Sequence, residues 1–175
     1  MAKKVKFGFK NVYYAPITAE GFGTPVHIPG AVSLTLSKAG EDVRFYADNE
    51  AFFRESTNNG YEGSLELALV PDDFKIACLG FTKDTNGVLV EDANGIQKPF
   101  AMLCEFTNDE GAERFAFLNC MASRPEVSSS TKTDTKEVQT ETLDIVINPN
   151  SDGIVKYSTT EEVDATVYAN WFEAV

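Results

Sequence analysis

Apolar and polar residues alternate with a period of two through most of this chain, the spacing of strands with one buried and one wet face. Val5, Phe7 and Phe9 alternate with Lys4, Lys6 and Lys10, with Gly8 as the exception. Residues 12–17 continue extended and stop near Pro16, and a Gly-rich loop fills 18–24. A short strand over 26–28 leads to a Pro29-Gly30 turn. Val32, Leu34 and Leu36 then alternate with Ser33, Thr35 and Ser37. Tyr61, Gly63, Leu65, Leu67 and Leu69 alternate with Glu62, Ser64, Glu66 and Ala68, which predicts a half-buried strand with an acidic wet face. The strongest hairpin pattern joins 100–107 to 113–122 through Asn108-Asp109-Glu110-Gly111. Phe100, Met102, Cys104 and Phe106 define one face of its first strand; Phe115, Phe117, Asn119 and Met121 define one face of its second. Val138, Thr140 and Thr142 alternate before Leu143, Ile145 and Ile147 take over, and that switch of parity predicts a bulge or bend. Short strands are expected over 88–90 and 154–158.

Two segments switch to helical spacing. Pro71-Asp72-Asp73 opens a short helix that runs to Leu79 and stops at Gly80: Pro at the first position, acids in the first turn and Gly past the end all suit helix termini. Phe74, Ala77, Cys78 and Leu79 are its expected buried stripe. Asp164 caps a closing helix over 165–174, where Val167, Tyr168, Trp171 and Phe172 fall on one stripe expected to pack on the chain's own sheet. With no internal repeat and no linker, residues 1–175 read as one mainly β domain. The expected architecture is an antiparallel sandwich or partly closed barrel of eight to ten strands, with one short internal and one C-terminal helix.

The block 43–60 breaks this regularity. Residues 43–48 look like a strand, but 49–59 mix Phe52 and Phe53 with charges and amides and end in Asn58-Asn59-Gly60. Aromatics in a long polar loop can cover a core edge or serve as contacts on an exposed arm. The hydroxyl-rich stretch 128–135 reads as a loop or edge segment.

Charge sharpens this division. Lys plus Arg total 15 and Asp plus Glu total 27, a net of −12. Residues 1–60 hold 7 basic and 6 acidic side chains, net +1, so residues 61–175 hold the remaining 8 and 21, net −13. The balance excludes a generic nucleic-acid wrapper, which needs clustered Lys and Arg, and argues against docking on anionic lipid. No apolar run is long enough to span a membrane, and the start MAKKVKFGFKN lacks the apolar block of a secretory leader.

Candidate chemistry is sparse. Cys78, Cys104 and Cys120 are far apart, without a CxxC pair, and read as reduced, buried thiols. The single histidine, His27, is flanked by prolines and reads as structural. No GxSxG or P-loop occurs, and Gly21-Phe22-Gly23 lacks the third glycine of a dinucleotide fingerprint. Asn148, Asn150, Asp152 and Gly153 match the first positions of a calcium loop, but position 12 is Thr159 where a bidentate Glu belongs, so a tight turn is expected. The inventory points away from an enzyme, and no metal or cofactor is expected.

The order of segments KFGFKNVYYAPIT, a Gly-rich loop, TPVHIPGAVSLTLS and RFYADNEAFF resembles the major tail proteins of long-tailed bacteriophages, especially those of Gram-positive hosts. The resemblance continues through YEGSLELALVPDDFKIACLG, DTNGVLVED and DATVYANWFEAV, and so spans nearly the whole chain. Order, spacing and length carry it; no single motif is chemically diagnostic. It implies a tail tube protein, a β-sandwich-like domain that forms usually hexameric rings. The rings stack into a tube around a tape-measure protein, and the tube later conducts DNA. The implied partners are further copies of the chain, the tape-measure protein, and the tail terminator and distal tail proteins. DNA would pass through the lumen without specific binding. The implied location is the virion tail, after synthesis in the host cytoplasm.

In that family a long loop between two early strands reaches the neighbouring ring. Here it corresponds to 37–60, and Phe45, Tyr46, Asp48, Phe52 and Phe53 become the expected inter-ring contacts. Glu62 and Glu66 are the foremost candidates to line the lumen, where negative charge repels phosphates; the alternative is an ordinary solvated sheet face. Rival readings are a non-polymerising β-sandwich module (a phage decoration, adhesion or baseplate component), a small β-barrel enzyme or carrier, and the related tube of contractile systems.

Overall fold

The computed structural model describes residues 5–131 and 138–175. The first strands are β1 (Lys6–Thr18), β2 (Gly21–Phe22), β3 (Val26–Ile28) and β4 (Ala31–Lys38). A separate pair follows, β5 (Asp42–Ala47) and β6 (Glu50–Ser56), then β7 (Tyr61–Leu67) and the helix α1 (Asp72–Cys78). After the small pair β8 (Thr82–Lys83) and β9 (Leu89–Val90) come the long hairpin β10 (Phe100–Asn108) and β11 (Gly111–Ala122). The chain closes with β12 (Glu141–Ile147), β13 (Lys156–Ser158) and α2 (Ala165–Ala169).

The expected mainly β, antiparallel architecture is what the structure shows. One nine-stranded sheet runs β2-β1-β10-β11-β12-β7-β4, with β3 also on β1 and β13 also on β11. Strand β11 is long enough to serve two neighbours. Residues Phe115 to Phe117 pair with β13, and Cys120 to Ala122 pair with β12. Val12 and Phe100 from one half and Leu65, Leu67, Leu143 and Ile145 from the other meet in one buried cluster, so the sheet folds over itself. It does not close: β4 pairs only with β7.

Helix α1 plugs this core. Phe74 is fully buried and meets Tyr14 and Phe100 edge-on at ring separations of 5.0 and 5.2 Å. Pro71 is the N-cap rather than the first helical residue. Gly80, at φ +79°, ends the helix as expected, and a Cβ there would lie 2.8 Å from the Ile96 carbonyl oxygen. A second, smaller cluster (Leu103, Ala116, Leu118) lies on the back of the β10–β11 hairpin, covered by Tyr13, Trp171 and Phe172. Strand β10 is therefore buried on both faces.

The structure corrects several sequence expectations, each through a break in the ladder. The register of β10 and β11 shifts between the pairs Phe100–Cys120 and Met102–Phe117. That bulge moves Cys120 and Ala122 inward and turns Asn119 and Met121 out of the core face. A shift between Ala31 and Ser33 likewise leaves Val32 exposed and gives its inner place to Ala31. Strand β7 stops at Leu67, where Ala68 N–H bonds the Gly30 carbonyl, so Leu69 is exposed and Val70 is buried. No bulge interrupts β12. It starts at Glu141 in unbroken register with β7, and Val138 and Thr140 precede it. Val5 and Phe7 are exposed, and Gly8 (φ +76°) and Asn11 (φ +55°) mark irregularities in β1 before Val12 enters the core. Helix α2 ends at Ala169, short of residue 174, although Asp164 caps it by accepting from Thr166 and Val167 N–H at 2.8 and 3.3 Å. Of the hydroxyl-rich stretch, 128–131 forms no helix or strand and 132–135 lies outside the described residues, as does Lys4.

Candidate functional site

The irregular block is a hairpin rather than a loop. Among the described residues, strands β5 and β6 pair only with each other. They are joined by Asp48 and Asn49, both at positive φ (53° and 62°), the signature of the tight I′ turn whose twist suits a hairpin. Asp and Asn tolerate this region because their short polar side chains bond locally. Phe45 stands opposite Phe53, and a register shift after Phe45 sets Phe52 apart as the extra residue. Phe45, Tyr46, Phe52 and Phe53 are 50–74% exposed. They are not among the residues that pack on the core. The structure thus brings four of the five expected contact residues together as rings, with Asp48 at the turn.

The root of this arm is tied down. Ala39 N–H bonds the Gly60 carbonyl at 2.9 Å and Asn59 N–H bonds the Ala39 carbonyl at 3.0 Å. The Thr57 hydroxyl accepts from Glu41 N–H and donates to the Glu41 carbonyl. Gly40 sits at φ +138°, and a Cβ there would fall 2.0 Å from the Thr57 carbonyl oxygen. The two sides of the root can approach only with glycine at that position.

Glu62 and Glu66 share the outward face of β7. Glu62 is exposed, whereas Glu66 is half-buried and accepts from Ser33 Oγ at 3.0 Å and Thr140 Oγ1 at 2.6 Å. Those bonds, Thr140 first and Ser33 second, hold the Glu66 carboxyl below its ordinary range. Register adds residues that the reading of single strands missed. Asp144 stands beside Ser64 on β12, while Thr35 and Ser37 flank Ser64 and Glu62 on β4. This face of β4, β7 and β12 therefore carries three carboxylates among hydroxyls, with no Lys or Arg between Ser33 and Ser37, Glu62 and Glu66, or Thr142 and Val146.

A third feature was not legible in the sequence. Arg114 Nε donates to Glu105 Oε2 at 2.9 Å, and its guanidinium also donates to the Tyr168 carbonyl. It lies 3.8 Å from the Tyr168 ring centroid and 4.9 Å from that of Phe172. Buried Glu105 takes Lys10 as a second partner at 3.2 Å. Tyr168 Oη donates to the Ala112 carbonyl and Trp171 Nε1 to the Phe115 carbonyl. So the stripe of α2 packs on its own sheet through Tyr168, Trp171 and Phe172, and Val167 stays exposed.

The remaining chemical candidates are His27, the 148–153 segment and the three cysteines. His27 is exposed and leans on Tyr13 at a ring separation of 4.9 Å. The 148–153 segment is a turn: Asn150 Oδ1 accepts from Asp152 and Ile154 N–H at 3.0 and 2.8 Å, so that oxygen is engaged with backbone. All three cysteines are buried and free. Burial pushes the Cys78 and Cys104 thiols up to about 12 and raises Cys120 further. Among the described residues no group of three or more His, Cys, Asp or Glu side chains could hold a metal ion. No helix among them is long and apolar enough to cross a membrane. In comparisons with known proteins, the chain matches no protein-family model and no curated protein.

Proposed function

We propose that this chain is a structural subunit of a bacteriophage tail tube. Copies would close into rings, and the rings would stack through the β5–β6 arm. One observation carries the reading: four aromatic side chains stand exposed on a hairpin that leans on no core. A two-stranded hairpin alone is marginal in water, and exposed aromatics of this kind mark contact surfaces. The hydroxyl and carboxylate face of β4, β7 and β12 suits a wall past which DNA slides. Phosphates meet negative charge there and find no cation to hold them.

The test is assembly of the purified chain at high concentration, followed by negative-stain microscopy and sedimentation. The intact chain should form rings or tubes. A chain lacking residues 49–58 should stay soluble, keep its cooperative unfolding and form no tubes. Normal tubes from the shortened chain would overturn the reading. Persistent monomers of the intact chain would favour the non-polymerising binding module instead.

A further inference from the structure

We propose that the tip of the β5–β6 hairpin of one copy seats in an aromatic mouth on a second copy of this chain, with its acids facing Lys6 and Lys156. This rests on the reading of the hairpin as a stacking arm and names the surface that receives it. From Phe45 to Phe53 the tip carries four aromatic residues, two acids (Asp48 and Glu50) and no base.

The mouth is its complement. A cavity of about 470 Å³ opens where the sheet fails to close, between Leu34 and Leu36 on one side and Phe106, Phe115 and Phe117 on the other. Among the described residues, the charged ones on its wall are Lys6 and Lys156. Lys6 Nζ lies 4.0 Å from the Phe106 ring centroid, and Lys156 Nζ lies 5.1 Å from that of Tyr61. An apolar cavity of about 150 Å³ holds one benzene ring, so this one has room for more than one phenyl group. Cations held over rings at the rim of an apolar cavity set up a site for aromatics accompanied by carboxylates.

The arm of the same copy does not occupy the mouth, because its aromatics are at least half exposed. Six strand residues carry its tip about 20 Å from its root. Arm and mouth are different surfaces of one chain. The contact is therefore head-to-tail, and each added copy presents a fresh arm and a fresh mouth, which propagates assembly.

The experiment uses the full chain and two charge changes, D48N/E50K on the arm, where Asn suits the positive-φ turn, and K6E/K156E on the mouth. Folding is checked by thermal unfolding, and K6Q/K156Q serves as a milder pair. Each change alone should raise the concentration needed for assembly by about tenfold or more, equivalent to about 1.4 kcal/mol. The chain carrying all four substitutions should recover most of that loss. If K6E/K156E and K6Q/K156Q assemble like the parent while the arm deletion does not assemble, the arm docks elsewhere. In that case this proposal falls and the stacking-arm reading stands. If both changed chains fail to assemble and the fourfold variant is not rescued, the pairing is wrong. Normal assembly without the arm removes both.

Discussion

At the scale of single residues, burial decides what the side chains can do. The three thiols sit in the core, and desolvation raises each of them, so little thiolate exists near neutral pH. A thiol reagent at pH 8 should leave the native chain unlabelled and label three sites once denaturant is added; rapid labelling of the native state would contradict the core placement of Cys78, Cys104 and Cys120. Glu66 shows the opposite control. Hydrogen bonds from Thr140 and Ser33 favour its charged form. Its folded pKa lies below the unfolded one, so the contribution is present above the unfolded value and is lost as pH falls through the folded one. The carboxylate is thus ionised throughout the neutral range. Gly40 shows a third kind of limit, set by backbone geometry: only a residue without Cβ lets the two sides of the arm root meet.

At the scale of elements, α2 is too short to be stable alone, and Arg114 holds it to the sheet. Replacing Arg114 by Ala strands Glu105 with Lys10 alone and removes the platform under Tyr168 and Phe172. We expect a loss on the order of 2 kcal/mol, because buried Glu105 then keeps only the exposed Lys10 as an ion-pair partner and the two rings lose their platform. Trp171 is the sole tryptophan, so its emission should shift to the red in the native state if the segment undocks. Arg114→Lys should rescue only in part, since an ammonium cannot reproduce the planar fork. Unchanged emission in Arg114→Ala would show that the apolar contacts suffice.

This scale also shows what the sequence could and could not reveal. Period-two alternation located β4, β7, β10, β11 and β12, and cap chemistry located α1. Within the strands, the errors of side-chain direction fall where a ladder slips or ends, at Phe7, Val32, Leu69, Asn119 and Met121, whereas exposed Val167 lies on the short α2. A bulge arises from the fit between two distant strands, so neither strand's own pattern records it. The arm was legible as an anomaly but not as a hairpin, because no core imposes alternation on β5 and β6. The Arg114 network joins residues from β1, β10, β11 and α2, and only the fold brings them together.

At the scale of the whole molecule, charge and topology bear on the proposed function. The net charge of −12 concentrates after residue 60, and part of it lies on the hydroxyl-rich sheet face. If that face lines a conduit, changing Glu62 and Glu66 to Lys should slow DNA release from assembled virions, since cations there would hold phosphates. Release at the parental rate would place the face elsewhere. Topology adds a consequence in time. Residues 6–16 must find their partners at 100–108 across most of the chain, whereas β5 and β6 meet through two residues. Hairpins close in about 1–10 μs, while sheets built from distant segments need milliseconds to seconds. Closure of the sheet is therefore the slow step, and the β5–β6 pairing, marginal by itself, is held once its root is anchored at Ala39 and Gly60. If the arm serves stacking, the surface proposed to receive it is complete only after the sheet closes, so assembly would lag behind folding.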